Sequence, residues 1–294
     1  MAIYVDGDTQ VLVQGITGKQ GSFHAGQMLA YGTKVVAGVS PGKGGQKVHD
    51  IPVYDTVQAA CAEHSIHASI IFVPAAFAKD AALEAFHSGI KLVAVITEHI
   101  PVHDAMEIMA QAKIHGATVV GPNTYGLVSS GLCKIGIMPN NFFKPGKIGV
   151  VARSGTLSYE IVGNLLEAGY GTSTVVGLGG DRIVGLSFVD VLQEFEKDAE
   201  TEAIVMVGEI GGNAEEEAAE FIKSSMDTPV VAYLAGKSAP EGKRMGHAGA
   251  IIERGKGTFA SKESALKNAG VPVADLPFEV PKLLEEILTG RRGK

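Results

Sequence analysis

The chain has 294 residues, of which 46% are hydrophobic and 19% are charged, and it contains 38 glycines. This length suits two domains of ordinary size, and the composition is typical of a globular α/β enzyme rather than of a disordered or fibrous protein. The formal net charge of −7 disfavours nonspecific binding to nucleic acid or to an anionic membrane surface.

Two cysteines, Cys61 and Cys133, are too few for a disulfide framework and do not form a Cys-x-x-Cys pair. The first ten residues show neither a signal-peptide nor a transit-peptide pattern, and no run of about 18 apolar residues follows. We therefore expect a cytoplasmic protein that does not associate with membranes or nucleic acid.

The first half of the chain alternates short β-branched runs with longer segments that suit helices. Such alternation predicts a parallel, doubly wound sheet. The predicted strands lie at residues 11–15, 34–39, 69–74, 91–97 and 118–123. Glycine, proline, asparagine and serine then accumulate over residues 123–147, which we interpret as a connection between domains.

A glycine-rich turn, GITGKQG, follows the first predicted strand at residues 15–21. It opens a helix whose first amide groups and positive dipole end can hold a pyrophosphate. Its GxxGxxG spacing departs from the dinucleotide fingerprint, so a plain strand-to-helix turn remains an alternative. An NAD site would carry an acidic residue after the second strand, where this chain instead has Lys43. Lys43 favours a ligand with an extra ribose phosphate, which both NADP and coenzyme A carry.

The third and fourth strands end at Pro74-Ala75-Ala76 and at Ile96-Thr97-Glu98. These residues lie at the carboxyl edge of the predicted sheet, where open parallel sheets bind their ligands. We expect them to form walls of the same site.

A second set of strands is predicted at residues 148–153, 173–179, 203–209 and 229–236. The first of these runs into Ser154, Gly155 and Thr156, where small residues open a helix and leave amide donors for an anion. Ser154 lacks the GxSxG pattern of a nucleophilic serine, so we interpret it as a helix cap.

His247 lies in a loop of sequence GKRMGHAGAIIERGKG and is surrounded by glycines and cationic residues. This setting suits an imidazole that meets phosphate, although a loop histidine more often only satisfies a hydrogen bond. Glu209 ends a predicted strand between glycines and is the candidate partner that orients the ring. Residues 215–217, three glutamates, are expected in the first turn of the next helix, facing solvent.

The chain has no GxxxxGK[ST] motif and no tight acidic set suited to magnesium on a nucleotide. A phosphoryl group that reaches His247 must therefore come from a second subunit that holds the nucleotide. His247 would then act as a covalent relay.

Six motifs follow one another over essentially the whole chain: GITGKQGSFH, SPGKGG, ITE, ARSGTLSYE, GEIGG and GHAGAII. Together they resemble the α subunits of succinyl-CoA synthetase, within the acyl-CoA synthetase and ATP-citrate lyase superfamily. The resemblance implies a Rossmann-like CoA-binding domain over residues 1–122, the connection over 123–147, and a flavodoxin-like parallel-sheet ligase domain over 148–294.

The resemblance also implies the roles of individual residues. His247 would be the phosphohistidine, Glu209 would hold its ring, and Tyr159 would lie at an acid site shared with a β subunit. CoA would contact a set of residues in the first domain: Thr17, Gly18, Lys19, Gln20, Lys43, Ile96, Thr97 and Glu98.

The mechanism implied by the resemblance needs a β subunit, in a heterodimer or a heterotetramer. That subunit would bind ATP or GTP with Mg²⁺ and phosphorylate His247. The phosphoryl group would pass to succinate, and the CoA thiol would displace phosphate from the acyl phosphate.

Two segments depart from the family pattern. NTYG at 123–126 stands where the family usually has NCPG, and GGDR at 179–182 stands where it has GGDP. The second departure resembles ATP-citrate lyase, and an added arginine suits an acid with more carboxylates. Thr124, Tyr125 and Arg182 are therefore candidate residues for recognising the acid.

Three alternatives to succinate-CoA ligase stay open, and the two departures motivate the first of them. The first is a small subunit of a related CoA ligase that acts on citrate or malate. The second is a noncatalytic CoA-binding module. An NADP oxidoreductase is the least favoured, because no residue set for hydride transfer accompanies the first glycine turn.

Overall fold

The computed structural model describes the backbone of residues 2–292 and the side chains of residues 2–290. Contacts divide the chain into two compact units, and each is described by itself. The first unit comprises residues 4–140 with 183–186, and the second comprises 2–3, 141–182 and 187–292. The main division thus falls inside the segment that the sequence suggested as a connection.

The first unit alternates strands and helices along most of its length. Its elements are β1 (Gln10–Gln14), α1 (Lys19–Tyr31), β2 (Lys34–Val39), β3 (Lys47–Val48), β4 (Ile51–Tyr54), α2 (Val57–Glu63), β5 (Ala68–Ile71), α3 (Ala75–His87), β6 (Leu92–Val95), α4 (Val102–His115), β7 (Thr118–Val120), β8 (Gly126–Ser129) and β9 (Cys133–Gly136).

The main sheet of the first unit has the strand order β3-β4-β2-β1-β5-β6-β7. Its pairings are parallel except for β3 against β4. The chain moves outward from β1 in both directions, so the strand order reverses beside β1. In an open parallel sheet, such a point opens a crevice at the carboxyl ends of the strands. The predicted doubly wound sheet is confirmed.

The sequence of apolar residues in these strands explains why they lie in the interior of the first unit. Strands covered by helices on both faces read as continuous apolar runs, and all four residues of β5 and of β6 are buried. Helix α3 presents Ala78, Ala81, Ala82 and Ala85 on one stripe, a spacing of three and four residues that fits one helix face. Their small side chains allow the helix to pack closely on the sheet.

The segment interpreted as a connection holds regular structure. Strands β8 and β9 form an antiparallel hairpin that belongs to the first unit. The hydroxyl of Thr33 donates to the carbonyl of Lys134 at 2.8 Å and accepts from its amide at 2.9 Å. Gly126 has a φ of 96°, and a Cβ there would lie 2.0 Å from the carbonyl oxygen of Ile135. Glycine here serves close strand contact, not flexibility.

The second unit repeats the alternation. Its elements are β10 (Pro145–Ala152), α5 (Gly155–Glu167), β11 (Thr172–Gly177), α6 (Phe188–Lys197), β12 (Ala203–Glu209), α7 (Ala214–Ser225), β13 (Val230–Ala235), α8 (Phe259–Asn268), β14 (Val273–Ala274) and α9 (Val280–Arg292).

In the second unit, parallel pairings join the strands in the order β14-β13-β12-β10-β11. This is the order 2-1-3-4-5 of flavodoxin-like folds, with the reversal beside β10. The turns after β10 and β12 therefore meet at one edge of the sheet, where a ligand site is expected. None of the helices in residues 2–292 is both long and apolar enough to cross a membrane.

Candidate functional site

The side chain of His247 meets that of Glu209 at the carboxyl edge of the second sheet. Nδ1 of His247 lies 2.8 Å from Oε2 of Glu209. The Glu209 side chain is only 7% exposed because Glu209 is the last residue of the buried strand β12, whereas the imidazole of His247 is 27% exposed. The structure thus brings together two residues that the sequence had suggested from separate motifs.

This hydrogen bond affects both the pKa of the imidazole and the nitrogen that carries its proton. It raises the pKa of His247 above the ordinary 6.5, and the charge of Glu209 acts in the same direction. Burial of the ring and the charge of Arg153 oppose that rise. Because Nδ1 faces a carboxylate, we assign the proton of the neutral ring to Nδ1. Nε2 then has the lone pair that can attack an electrophile.

A buried arginine lies on the other side of Glu209. Nε of Arg153 is 3.6 Å from Oε1 of Glu209, and its Nη2 donates to the carbonyl of Asp181 at 3.0 Å. Arg153 is 9% exposed, so little water screens its charge. The carboxylate therefore lies between an imidazole and a guanidinium. It hydrogen-bonds the imidazole through Oε2, whereas Oε1 meets the guanidinium as an ion pair and has no hydrogen-bond partner among the described residues.

Glycines allow the histidine loop to lie this close. A Cβ on Gly180 would lie 2.5 Å from Cγ and Cδ2 of His247, and one on Gly211 would lie 2.1 Å from the carbonyl oxygen of Gly249. The amide of Gly249 donates to the carbonyl of Gly180 at 3.2 Å. The loop is therefore packed between two turns that cannot accept a side chain without displacing it.

The anion-binding site predicted at Ser154, Gly155 and Thr156 lies at the start of α5. Ser154 occupies the N-cap position, but its hydroxyl makes no capping hydrogen bond within the described helix, contrary to the cap that we expected. The amides of the first helical turn, which includes Gly155 and Thr156, have no acceptor inside the helix. Ala152 pairs with Val207, so Ser154 and Glu209 each lie two residues past the same rung of neighbouring strands.

Tyr159 lies further along α5 and is half-buried. Burial raises the pKa of its hydroxyl to about 12. The phenol therefore stays protonated at neutral pH and can donate a hydrogen bond without carrying charge.

Of the three candidate residues for acid recognition, Arg182 already has partners within the chain, and Thr124 and Tyr125 are buried. Arg182 donates from Nε to the carbonyl of Ala248 at 3.2 Å and from Nη2 to Glu253 at 2.7 Å. Thr124 and Tyr125 are each 4% exposed, and the amide of Gly126 donates to the Thr124 hydroxyl at 2.9 Å. Contact between these residues and an acid stays a prediction.

The first unit has a cleft of about 500 Å³ at the carboxyl ends of β1, β2 and β5. Thr17 and Lys43 line it, as does Pro74, which the sequence had suggested as a wall. The remaining lining residues include Gln14, Gly15, Val39, Ser40, Pro41, Val73, Phe77, Asp80, Ala81 and Glu84. Ala75 and Ala76, which the sequence had also suggested, are not among the lining residues. Phe77, Asp80 and Glu84 further along α3 were missed, because the fingerprint gives no signal for the far wall.

The other predicted cofactor residues lie around the cleft. Gly18, Lys19 and Gln20 are exposed at the start of α1. Ile96, Thr97 and Glu98 are not among the described residues that line the cleft. The hydroxyl of Thr97 donates to the carbonyl of Val73 at 2.7 Å, so Thr97 supports the wall instead.

Lys43 is presented by a loop that glycines shape. Gly42 and Gly45 have φ values of 75° and 84°, which L side chains rarely adopt. The amide of Gly44 donates to Asp55 at 2.9 Å. The loop therefore has a defined conformation around an exposed ammonium.

One expectation is wrong for Glu215. The sequence suggested solvent exposure for all three glutamates at 215–217, yet Glu215 is fully buried while Glu217 is exposed. Glu215 shares its stripe with Ala218, Ala219 and Ile222, so the helix packs that side of its first turn inward. Its carboxylate contacts the ammonium of Lys262 from α8.

Metal ions in proteins are commonly held by histidine, cysteine, aspartate and glutamate side chains. Among the described residues, no group of three or more is arranged to hold a metal ion.

Two family models match the chain. The CoA binding domain matches residues 6–99, and CoA-ligase matches residues 151–272. Succinate–CoA ligase (ADP-forming) subunit alpha 2 of Archaeoglobus fulgidus is 58% identical over 288 residues, covering 98% of this chain and all of that one. The corresponding alpha subunit of Methanothermobacter thermautotrophicus is 58% identical over 278 residues, 95% of this chain and 94% of that one.

A solved structure shows the same fold. ATP citrate lyase from Methanothrix soehngenii, in complex with citrate and coenzyme A, matches 98% of this chain with a TM-score of 0.89 and 25% identity. This chain spans about half of that lyase chain, 51%. The resemblance found from the motifs is confirmed, and the chain belongs to the family of succinate–CoA ligase α subunits, with a CoA-binding domain followed by a CoA-ligase domain.

Proposed function

We propose that this chain is the α subunit of a succinate–CoA ligase and that His247 carries the phosphoryl group between a nucleotide and succinate. The observation that carries the proposal is the 2.8 Å hydrogen bond between Nδ1 of His247 and Glu209, beside the start of α5. It occurs in a chain that is 58% identical to α subunits named for this reaction.

His247 acts as the nucleophile. The Nε2 lone pair attacks the terminal phosphorus of the nucleotide, so a P–N bond forms and the P–O bond to the leaving diphosphate breaks. The ring becomes positively charged, and Glu209 stabilises that charge because it already accepts the Nδ1 proton. A carboxylate oxygen of succinate then takes the phosphoryl group, and the electron pair returns to Nε2.

The start of α5 receives the phosphoryl group. Ser154, Gly155 and Thr156 supply first-turn amides at the helix end where the dipole is positive. The register of β10 and β12 supports this role because it brings this turn level with Glu209. Tyr159, one turn further along, is the candidate donor to the acid.

The cleft of the first unit suits CoA. Thr17 and the exposed start of α1 can hold its pyrophosphate, and Lys43 can pair with its ribose phosphate. CoA, when bound, supplies the thiol that accepts the succinyl group. Thr97 supports the cleft wall that Val73 forms.

The proposal includes a β subunit that holds ATP or GTP with Mg²⁺, because the sequence has no P-loop of its own. The complex would be a heterodimer or a heterotetramer in the cytoplasm. The named relatives are ADP-forming, which agrees with a nucleoside triphosphate that loses one phosphoryl group.

A citrate ligase is the second candidate, favoured by the likeness to a lyase structure that holds citrate and coenzyme A. In the sequence, Arg182 was the residue that favoured citrate. In the structure, however, its guanidinium already pairs with Glu253 and with the carbonyl of Ala248. This pairing favours succinate because the added charge is neutralised within the chain.

The choice is tested by acyl-CoA formation with the chain purified together with its β subunit, given ATP, Mg²⁺, CoA and one acid at a time. We expect succinate to have the highest kcat/KM among succinate, malate and citrate. Arg182→Pro should leave this order unchanged. A higher kcat/KM for citrate, lost in Arg182→Pro, would instead establish the second candidate.

A further inference from the structure

Directly behind Glu209, the second unit buries a charged network. Lys262 of α8 and Glu215 of α7 are both 0% exposed. The ammonium of Lys262 contacts the Glu215 carboxylate and donates to Glu216 at 3.0 Å and to the carbonyl of Gly212 at 3.2 Å. Three acceptors around one buried ammonium satisfy all of its protons.

The network is joined to the backbone of Glu209. The amide of Glu209 donates to Oε1 of Glu215 at 3.1 Å. The Lys262 ammonium donates to Gly212, three residues further along the same turn. One carboxylate and one ammonium thus fix both ends of the turn that follows β12.

The same network is joined to the end of the histidine loop. That loop leads into α8, where the amide of Gly211 donates to the carbonyl of Gly257 at 2.8 Å. Thr258 caps α8 by accepting from the amide of Ser261 at 3.1 Å, and Lys262 follows in the next turn. The turn after Glu209 and the end of the histidine loop are therefore both joined to the start of α8, which carries Lys262.

Stability alone does not account for this arrangement. Removing two charges from water is costly, and a buried ion pair is often no more stable than apolar side chains of similar volume. A pair that hydrogen-bonds the backbone of a catalytic carboxylate can instead fix geometry, as partners of metal-bound histidines do.

We propose that Glu215 and Lys262 are positioning residues, which fix the turn after β12 so that Glu209 faces His247. Glu215 acts through the Glu209 amide, and Lys262 acts through Gly212 and through Glu215. This inference rests on the proposed function for its kinetic consequence, but its geometric content concerns only the Glu209–His247 pair.

The test compares two double variants of the full chain with its β subunit. Glu215→Leu with Lys262→Met removes both charges and the acceptor of the Glu209 amide. Glu215→Gln with Lys262→Met removes the charges but keeps an oxygen for that amide. Glu217→Gln, an exposed change on the same helix, is the matched control. Thermal unfolding, single-turnover phosphorylation of His247 and NMR titration of its ring are measured for each.

We expect the leucine variant to fold but to phosphorylate His247 about 10 to 100-fold more slowly. Its His247 pKa should fall toward the ordinary value because Glu209 no longer faces the ring. The glutamine variant should regain part of the rate and of the pKa, because it restores the acceptor of the Glu209 amide but not the Lys262 contact with Gly212. Glu217→Gln should behave as the unaltered chain. A folded leucine variant with an unaltered rate and ring titration overturns the proposal.

Hydrogen exchange gives one further readout, which needs no variant. In the unaltered chain, the Glu209 amide should resist hydrogen exchange as strongly as the interior amides of β12, and fast exchange would overturn the inference even if no variant folds. If the unaltered complex fails to phosphorylate His247, the proposed function fails. The ring titration then still decides the positioning role.

Discussion

At the scale of single residues, the proposed reaction depends on the protonation state of the His247 ring. Glu209 raises the pKa of His247 above 6.5, and only the neutral ring has a lone pair on Nε2. The rate of His247 phosphorylation should therefore increase with pH through the raised pKa and then level off. Single-turnover phosphorylation between about pH 5.5 and about pH 9 measures this profile, and a rate that falls with pH over this range contradicts it.

The same shift links His247 to stability. A pKa that is higher in the folded chain means that the folded state binds the proton more tightly. The stabilisation by the Glu209–His247 pair is fully present below about pH 6.5 and is lost as the pH increases through the raised pKa. Denaturant unfolding at several pH values should show this loss in the unaltered chain and not in His247→Asn.

Removing the charge of Glu209 separates orientation from electrostatics. Glu209→Gln keeps an oxygen near Nδ1 but no longer stabilises a charged ring. We expect the apparent pKa of the rate profile to fall and the plateau rate to decrease on the order of 100-fold. A plateau rate equal to that of the unaltered chain would show that Glu209 has no part in the chemistry.

Gly180 tests how tightly the ring is packed. In Gly180→Ala the new methyl group would lie 2.5 Å from the imidazole, so the ring must move away from Glu209. Phosphorylation should slow by about 100-fold because small displacements of a reacting group are costly. Gly290→Ala, where nothing lies within 4 Å, is the control and should phosphorylate at the normal rate.

Helix caps matter at the scale of elements. Ser187 caps α6 together with Asp190, and Thr258 caps α8, which carries Lys262. Ser187→Ala and Thr258→Ala should each lower the free energy of unfolding by about 1 kcal/mol. Only Thr258→Ala should also slow phosphorylation, since α8 anchors the histidine loop. Equal kinetic effects, measured beside denaturant unfolding, would contradict this distinction.

Long apolar strands could be predicted from sequence because their residues are buried on both faces, as in β12. The hairpin β8–β9 was missed because its glycines, which allow close strand contact, resemble those of a flexible connection. Strand β3 has only two residues and offers no periodic signal.

The candidate site also combines residues that could be predicted from the sequence with residues that could not. His247 and Glu209 could be predicted because glycines and neighbouring charges mark them in the sequence. Glu215 could not, because a buried glutamate in a helical first turn has the same local pattern as an exposed one. Its partner Lys262 is 47 residues away, and only folding brings the two charges together.

At the scale of the whole molecule, we expect the first unit to bind CoA and the second to carry the phosphoryl step. Lys43 of the first unit should matter for CoA and not for the phosphoryl step. We expect Lys43→Ala to raise the Kd for CoA about 10-fold, since it removes one charge-assisted contact, while phosphorylation by ATP is unchanged. Lys47→Ala, an exposed change nearby, should affect neither. Calorimetry with CoA checks the first, and a slowed phosphorylation in Lys43→Ala would contradict the separation.

The central claim is that His247 carries the phosphoryl group in succinate activation. The complex of this chain with its β subunit is incubated with ATP and Mg²⁺, digested at neutral pH and analysed by mass spectrometry. We predict phosphate on the peptide that contains His247, its loss when succinate and CoA are added, and succinyl-CoA in equal amount. A complex that makes succinyl-CoA while His247 is never phosphorylated would contradict the claim.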